Sequence, residues 1–410
     1  MTNCEYWIWL QRTLGFAAKI DDLINYYGSA RTLYEAGSYN WRISGLLNGS
    51  QINKLSQFSP SESGKIMKAC SDNHWDIITP DDSEYPPQLR EICDFPAVLY
   101  VDGNSELLGN RTFISMVGTR RASAYGVNAA KLLAAELSKT GLTVVSGAAL
   151  GIDSAAHSGA VNSGFKTVAV LGCGFGTSYL RENEALRREI VQNGALITEY
   201  PPFYEASRYT FPMRNRIISG MSLGTVVIEA GERSGSLITA RLAAEQNRDV
   251  FAVPGDVFSS SFTGANKLIR DGAKPIFTAA DVAEEYVNIY PDKIKLEGAD
   301  TPLSKLIPKN DKFVFDGINT SKREKDKNKR NEKKTEPKQN EAPSVAKKAL
   351  PEDISANAKV VFNAIDGETE FDDVVRNSGL PAFKVMTAVT ELEMRELIDV
   401  LPGRKYKKTV

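Results

Sequence analysis

The order of apolar and polar positions divides the chain into three stretches. Up to about position 69, apolar residues such as Trp7, Leu10 and Leu14 recur at helical spacing, and short Gly-Ser breaks separate the helices. Between about 112 and 280, short β-rich runs alternate with helical segments. From about 350 onwards, three helical runs precede two β-rich ones. The pattern predicts a small helical domain, an α/β domain and a second small domain with a β-hairpin.

The middle stretch predicts a mainly parallel sheet. Its β-rich runs are TFISMV, LTVVS, KTVAVL, ALIT, TVVIEA and DVFAVP, and an apolar run at 98–101 predicts a first strand before them. Strands that alternate with helices form βαβ units. Three of the runs end in loops of small residues, which begin at Val117, Val145 and Leu171. Because ligands of open α/β sheets bind beyond the carboxyl ends of the strands, these loops are the predicted binding edge.

The last segment is typical of a winged helix, with three helices and a hairpin that turns at Pro402 and Gly403. Its candidate recognition helix, 381–396, has more acidic than basic residues, which makes a poor face for a phosphate-lined groove. A protein partner or weak backbone contact is favoured for it. The predicted domains are 1–75 (helical, similar to SAM or helix-hairpin-helix domains), 76–290 (Rossmann-like), 291–349 (a charged flexible linker) and 350–410 (winged-helix-like).

Composition indicates an ordinary soluble protein, since 42% of the 410 residues are hydrophobic and 25% are charged. The four cysteines lie far apart without a CxxC motif, so we predict neither disulfides nor a metal site. We also predict no bound cofactor. No run is long enough to span a bilayer, and no apolar leader begins the chain. These features predict a cytoplasmic protein without a membrane partner.

The net charge of −1 conceals an uneven distribution of charge. Positions 321–348 carry 11 Lys and Arg against 5 Asp and Glu, a surplus of +6, which leaves −7 for the other residues. That segment has no aromatic and almost no aliphatic residue, so it cannot bury enough surface to fold. Any site for a polyanion on the folded body must therefore be a local patch of positive charge.

The loop after the first β-rich run of the sheet, VGTRRAS, combines small residues with two arginines. It lacks the G-x-G-x-x-G spacing of a dinucleotide site, and no acidic residue ends the next strand, so NAD is a poor candidate. Arginines beside exposed backbone donors suit a phosphodiester instead. The alternative is that both arginines are merely solvated or form surface salt bridges. The candidate contacts in this loop are Gly118, Thr119, Arg120, Arg121 and Ser123.

The strongest constellation joins the segment FPMRNRIISG to the loop GERSGSLITA. Guanidinium groups match phosphate geometry, and the amino end of a helix attracts anions. The alternative is an internal salt-bridge cluster with Glu199 and Glu229, and both can hold if one arginine is structural and its neighbour binds the ligand. The candidates here are Arg214, Asn215, Arg216, Ser234, Gly235, Ser236 and Thr239; further candidates are Gly147 from the second small-residue loop and Gly174, Arg181 and Asn183 from the third.

Catalytic chemistry is less evident than binding chemistry. His157 lies in an alanine-rich helical turn, and Cys173 has no base nearby in sequence, so we predict that both are packed residues. Glu199, Glu229 and Glu232 do not form a defined pair for hydrolysis; Glu229, at a strand end, is expected to orient Arg or Ser groups. We therefore predict a protein that is not an enzyme.

Taken together, the motifs closely resemble the DNA processing protein A (DprA/Smf) family. The matching phrases, which cover roughly 85–273, are YPPQLREICDFPAVLYVDGN, MVGTRRASAYG, VVSGAALGIDSAAH, VAVLGCG, FPMRNRIISG, EAGERSGSLITA, FAVPG and GANKLIRDGA. The resemblance implies an extended Rossmann-like domain that binds and protects single-stranded DNA, loads the RecA recombinase onto it in natural transformation, and dimerises. By position, it assigns DNA contacts to Arg120, Ser123, Arg181 and Asn215.

Two departures from the family pattern affect the loops. Phe175-Gly176 and Tyr179-Leu180 replace a Leu-Asp and a Tyr-Pro after GCG, and Phe203-Tyr204-Glu205 replaces a Gly-rich phrase. The rival hypothesis is a nucleotide phosphoribohydrolase of the lysine-decarboxylase-like (LOG) type on a related fold, whose PGGxGTxxE order is missing from 229–236. A third hypothesis is an interaction adaptor that works through the winged helix.

Overall fold

The computed structural model describes residues 2–178, 183–306, 354–394, 397–401 and 405–408. The chain forms two compact units, Met1–Val314 and Phe315–Val410. Within the described residues, no helix has the length and apolarity required to cross a bilayer.

Five helices open the first unit, as the helical spacing predicts. They are α1 (Asn3–Leu14), α2 (Asp21–Tyr27), α3 (Ala30–Ser44), α4 (Gly49–Gln57) and α5 (Gly64–Asp72). Trp7, Trp9 and Leu33 are fully buried among them. The predicted break at Gly37 is a kink inside α3, where φ is 71°, a conformation that glycine adopts without strain.

A nine-stranded sheet forms the body of this unit. Its strands are β1 (Asp76–Ile78), β2 (Leu99–Gly103), β3 (Thr112–Val117), β4 (Leu142–Ser146), β5 (Thr167–Leu171), β6 (Gly194–Thr198), β7 (Gly224–Val227), β8 (Asp249–Ala252) and β9 (Lys274–Pro275). Their order is β1-β2-β6-β5-β4-β3-β7-β8-β9. Neighbours from β6 to β9 are parallel, whereas β1 and β2 form an antiparallel edge. The predicted first strand is therefore the second, because β1 precedes it.

Helices cover both faces of the sheet. They are α6 (Glu106–Asn110), α7 (Ala124–Lys139), α8 (Ile152–Asn162), α9 (Glu184–Gln192), α10 (Thr210–Gly220), α11 (Ser236–Glu245), α12 (Thr263–Arg270), α13 (Ala280–Ala283) and α14 (Leu303–Leu306). Alternate residues of β3 enter different cores: Phe113 packs in the cluster that includes the N-terminal helices, and Ile114 packs with α7 and α8. Burial on both sides explains why the strands read as continuous apolar runs.

The packed body extends past position 290, where the sequence analysis placed the start of a linker. Ile294 and Ala299 are buried in the core beside α7, and Lys295 N donates to Thr140 O at 2.9 Å. These apolar side chains pack against the core of the first unit. The predicted linker from 307 to 349 lies outside the described residues.

The described part of the second unit, from position 354, contains three helices and a small antiparallel sheet. Its elements are α15 (Ala356–Ala364), β10 (Thr369–Glu370), α16 (Phe371–Ser378), α17 (Ala382–Met394), β11 (Ile398–Leu401) and β12 (Lys405–Lys408). The strand order is β10-β12-β11, and the helices bury Val361, Val374 and Leu392 in one core. The helices and the hairpin confirm the predicted pattern, to which the short β10 adds a strand. The turn residues Pro402 and Gly403 lie outside the described residues.

Candidate functional site

The strand order reverses between β3 and β7, which makes this the topological switch point of the sheet. Crevices that bind ligands open at the carboxyl ends of strands at such a point. Two backbone hydrogen bonds join the loops that leave these strands: Thr119 N donates to Glu229 O at 2.8 Å, and Ile228 N donates to Val117 O at 3.0 Å. The VGTRRAS loop and the loop before α11 therefore lie side by side at the carboxyl edge of the sheet.

A buried carboxylate fixes the shape of the first loop. Glu229 Oε2 accepts hydrogen bonds from Ser123 N at 3.0 Å and from Ser123 Oγ at 2.8 Å. Ser123 Oγ also caps α7 by accepting from Gly126 N at 3.1 Å. A side chain at 126 would begin only 1.9 Å from Glu229 Oε2, so it would displace the carboxylate from Ser123. Glu229 thus orients a serine, as predicted.

Arg120 and Arg121 are exposed at the switch point. The guanidinium carbon of Arg120 lies 5.4 Å from the centre of the Phe211 ring, at the start of α10. This cation–π contact positions the side chain but leaves it accessible to an anion. Arg121 N donates to Thr119 Oγ1 at 3.2 Å, which tightens the turn. The first loop therefore presents two positive charges to solvent.

Arg214 points into the molecule. Only 4% of it is exposed, and its Nη1 donates to Gly147 O at 2.8 Å and to Val170 O. The guanidinium occupies the space of a side chain at 147, since a Cβ there would lie 2.5 Å from Nη2. Burial raises the pKa of the neighbouring Asp153 carboxyl, and the charge of Arg214 opposes that rise. Arg214 thus holds the second loop against β5.

Arg216 is also buried and forms an internal ion pair. Its Nη2 lies 2.5 Å from Glu199 Oε2, and its Nε lies 3.5 Å from Asp94 Oδ2. Burial raises the pKa of the Glu199 carboxyl, and the positive charge of Arg216 offsets part of that rise. Glu199 Oε1 also accepts from Ala17 N at 3.4 Å, so the pair links α10 to the N-terminal helices. This confirms the internal-cluster alternative for Arg216 and Glu199, while Asn215 between the two arginines is half-buried.

The third loop is fixed to its neighbours through its backbone. Gly174 N donates to Tyr204 O at 2.8 Å, and Gly176 N donates to Pro202 O at 2.7 Å. Asn183 is buried, and its Nδ2 donates to Ala148 O and to Ser154 Oγ, both at 2.9 Å. Asn183 therefore joins the second and third loops from inside. Arg181 lies outside the described residues.

The start of α11 is only partly accessible. Ser236 and Thr239 are buried, whereas Gly235 is exposed and Ser234 is half-buried. The hydroxyl oxygens of Ser234 and Ser236 lie 2.8 Å apart and share a hydrogen bond. The accessible part of this loop is Glu232 to Gly235, in which Glu232, Arg233 and Gly235 are exposed.

Two potential catalytic groups are enclosed by the core. Burial lowers the pKa of His157 to about 3, and its Nδ1 lies 2.8 Å from Thr167 Oγ1. His157 is therefore neutral at physiological pH and is a packed residue, as predicted. Burial raises the pKa of the Cys173 thiol, which keeps it in the weakly nucleophilic protonated form.

The loop between β6 and α10 adds residues that we did not select from the sequence. Phe203, Tyr204, Arg208 and Tyr209 are exposed there. In the sequence, aromatic residues stand there in place of the Gly-rich phrase of the family. This difference points to exposed ligand-binding groups only once the loop is known to lie at the binding edge.

We expect Gly174→Ala to lower the free energy of unfolding by about 1–3 kcal/mol, the usual cost of overpacking. A Cβ at 174 would lie 2.1 Å from Pro201 O and 2.4 Å from Pro202 O, so backbone must shift. Urea unfolding measures the change. Gly64→Ala is the control, because nothing lies within 4 Å of its added methyl group and its φ is −55°. Equal stability of both variants would contradict the packing of this loop.

Comparison with known proteins identifies the family. The family model for DNA recombination-mediator protein A matches residues 76–287, just over half of the chain, and the model for the DprA winged helix domain matches 345–404. The chain belongs to the DNA processing protein A family. DNA processing protein DprA of Bacillus subtilis is 40% identical over 233 residues, which cover 57% of this chain and 78% of that protein.

Two further members of the family extend the match. Protein Smf of Synechocystis is 33% identical over 336 residues, covering 81% of this chain and 80% of its own length. The X-ray structure of DprA from Streptococcus pneumoniae superposes with a TM-score of 0.60 at 32% identity, covering 70% of this chain and 98% of that one. The resemblance read from the motifs, the Rossmann-like fold and the winged helix are thereby confirmed.

Proposed function

We propose that this protein binds single-stranded DNA along the carboxyl edge of its parallel sheet. The observation that carries the proposal is the position of Arg120, an exposed guanidinium at the switch point, held over Phe211 and surrounded by small-residue loops. Family membership supports it, because the matching model describes a mediator of DNA recombination.

The described residues of the site fall into two groups, those that contact the DNA strand and those that shape the loops. Arg120, Arg121 and Asn215 are at least partly accessible, and we assign them to direct contact, together with the backbone at Gly118 and Gly235. Arg214, Arg216, Ser236, Thr239 and Asn183 are buried and shape the loops, as do the two buried glycines Gly147 and Gly174. Ser123 is half-buried, and its hydroxyl already donates a hydrogen bond to Glu229. We therefore assign it to fixing the first loop to Glu229.

The wider role follows from the resemblance. We propose that the protein protects incoming DNA, loads RecA onto it in natural transformation, and acts as a homodimer through the Rossmann-like domain, without catalysing a reaction. Light scattering on the purified chain tests the dimer, and RecA-dependent strand exchange on protein-coated DNA tests loading. Steady release of nucleobase from AMP would instead favour the phosphoribohydrolase.

We expect the full chain to bind a single-stranded oligonucleotide at least tenfold more tightly than its duplex. A flexible single strand can follow the loops at the carboxyl edge of the sheet, whereas a duplex is too stiff to do so. Log affinity should fall linearly with log salt, with a slope of about −0.7 per phosphate contacted. Fluorescence anisotropy at four salt concentrations measures both quantities. Equal affinity for duplex, or binding that ignores salt, would contradict the proposal.

A further inference from the structure

The loop between β6 and α10 exposes three aromatic rings at the binding edge. Phe203 is 66% exposed, Tyr204 is 42% exposed and Tyr209 is 63% exposed. An isolated exposed ring requires no explanation, but three within seven positions place an unusual amount of apolar area on one loop. We call Phe203, Tyr204 and Tyr209 the aromatic shelf.

The protein itself supports each ring of the shelf. Carbon atoms of the Phe203 ring lie 2.4 Å from where a Cβ at Gly176 would be, a closeness that glycine alone permits. The Tyr204 ring stacks on Tyr200, with centroids 5.1 Å apart and planes at 21°. The guanidinium carbon of Arg208 lies 4.8 Å from the centre of the Tyr209 ring. Rings held in this way lose little conformational entropy when a flat ligand stacks on their exposed parts.

The shelf adjoins the loops assigned to phosphate. The guanidinium group of Arg120 lies over the Phe211 ring, and this ring lies 3.0 Å from where a Cβ at Gly172 would be. The Phe203 ring lies beside Gly176, which belongs to the same loop as Gly172. Gly172 and Gly176 are four positions apart, so the chain between them spans at most ~14 Å. With the contacts at its two ends, the path from Arg120 to Phe203 is on the order of 25 Å or less, about seven bases at 3.4 Å each. A strand whose phosphate meets Arg120 therefore has bases within reach of Phe203.

The charge around the shelf also suits a nucleic acid. Arg208 is exposed over the Tyr209 ring, and Arg120 is exposed over the neighbouring Phe211. Glu205 is exposed in the same loop, whereas Glu199 is buried. Aromatic rings interleaved with arginine are the usual platform for unpaired bases, because every base has a π-face. A purely apolar protein partner would leave these cations without anionic groups.

We propose that the aromatic shelf stacks unpaired bases of the strand whose phosphates contact Arg120. The proposal rests on the proposed function and adds to it a base-binding subsite that belongs to this chain's own β6–α10 loop. The shelf recognises bases by stacking rather than by hydrogen bonds, so it should favour no particular sequence.

Phe203→Ala and Tyr209→Ala in the full chain test the shelf. Each should weaken binding of a single-stranded oligonucleotide about fivefold or more, which corresponds to the lower limit for loss of one stacked base. The salt slope should stay that of the parent, since no phosphate contact is removed. Tyr39→Ala is the matched control, because Tyr39 is 73% exposed on α3, and it should bind like the parent. Phe203→Tyr, which keeps a ring, should restore affinity.

An oligonucleotide with abasic sites separates stacking from other causes. The parent should bind it more weakly than the intact strand, and Phe203→Ala should bind it no more weakly than the parent does. If both alanine variants bind the intact strand as tightly as the parent, base stacking on the shelf is refuted. A reduced salt slope, or binding of a protein ligand in place of bases, would refute it as well. Failure of the parent to bind any single strand would instead refute the proposed function.

Discussion

Replacing Arg216 with methionine lowers the free energy of unfolding by about 3–5 kcal/mol, the usual cost of removing one partner of a buried ion pair. Arg216 and Glu199 both have side chains 3% exposed, and their charged atoms lie 2.5 Å apart. Methionine fills much of the volume of the arginine stem but leaves the carboxylate buried without a cation. Urea unfolding at pH 8 measures the loss.

The loss should shrink on acidification. Burial raises the pKa of Glu199 above its ordinary value of 4.5, and Arg216 opposes that rise, so the variant carries a carboxyl whose pKa is higher still. A folded state that holds a proton more tightly than the unfolded state loses stability as pH rises above 4.5. The variant should therefore be closest to the parent near pH 5 and furthest from it at pH 8.

Two further variants make this test specific. Adding Glu199→Gln to Arg216→Met removes the unpaired charge and should recover part of the stability at pH 8. Arg241→Met, which breaks an exposed pair with Glu245, should change stability by less than about 1 kcal/mol. If Arg216→Met unfolds like Arg241→Met at pH 8, the buried pair does not hold α10 in place.

The sheet could be predicted from the sequence because its physical cause is local. Strands covered on both faces must be apolar throughout, so β3 to β8 appear as short runs between helices. The antiparallel edge could not be predicted in the same way. Strand β1 has only three residues, and the direction of β2 depends on its pairing with β6, which comes 90 positions later in the chain.

The orientation of the arginines could not be predicted from the motif FPMRNRIISG. Arg214 and Arg216 lie about 200° apart around a helix, so a one-sided helix would expose one of them. Arg216 is buried because α10 is covered on all sides from Arg216 to Gly220, whereas Arg214 is buried because its guanidinium inserts between Gly147 and β5. Their partners, Gly147 O and Glu199, come from distant loops. Sequence alone could place the guanidinium groups at the binding edge without showing which of them reach solvent.

The aromatic shelf shows a second limit of prediction from sequence. A substitution of Gly-rich chain by Phe203 and Tyr204 is visible in the sequence, but its meaning depends on exposure. Tyr200, four positions before Tyr204, is fully buried, whereas Tyr204 is 42% exposed. Only the fold separates a ring that fills the core from one that faces a ligand.

Arg120→Ala should weaken binding of single-stranded DNA by about tenfold or more, because charge-assisted hydrogen bonds are each worth about 1.5–3 kcal/mol. Arg120 is exposed, and it contributes to stability through its contact with Phe211 rather than through a buried ion pair. The free energy of unfolding of the variant should therefore stay within about 0.5–1 kcal/mol of the parent value. The loss should therefore appear in binding and not in urea unfolding.

Arg111→Ala is the matched control for this variant. Arg111 is exposed and immediately precedes β3, so it lies at the opposite end of the strand from Arg120. Both substitutions remove one positive charge, and they should change the long-range attraction of the protein for DNA to a similar, small extent. Any larger difference between them reports direct contact at the carboxyl edge.

The affinity of Arg120→Ala, Arg111→Ala and the parent for one oligonucleotide, measured across a series of salt concentrations, tests the central claim most directly. We expect the slope of log affinity against log salt to become shallower by about 0.7 for Arg120→Ala, the value for one phosphate of a single strand, and to stay unchanged for Arg111→Ala. Identical slopes and affinities for Arg120→Ala and the parent would contradict DNA binding at the switch point.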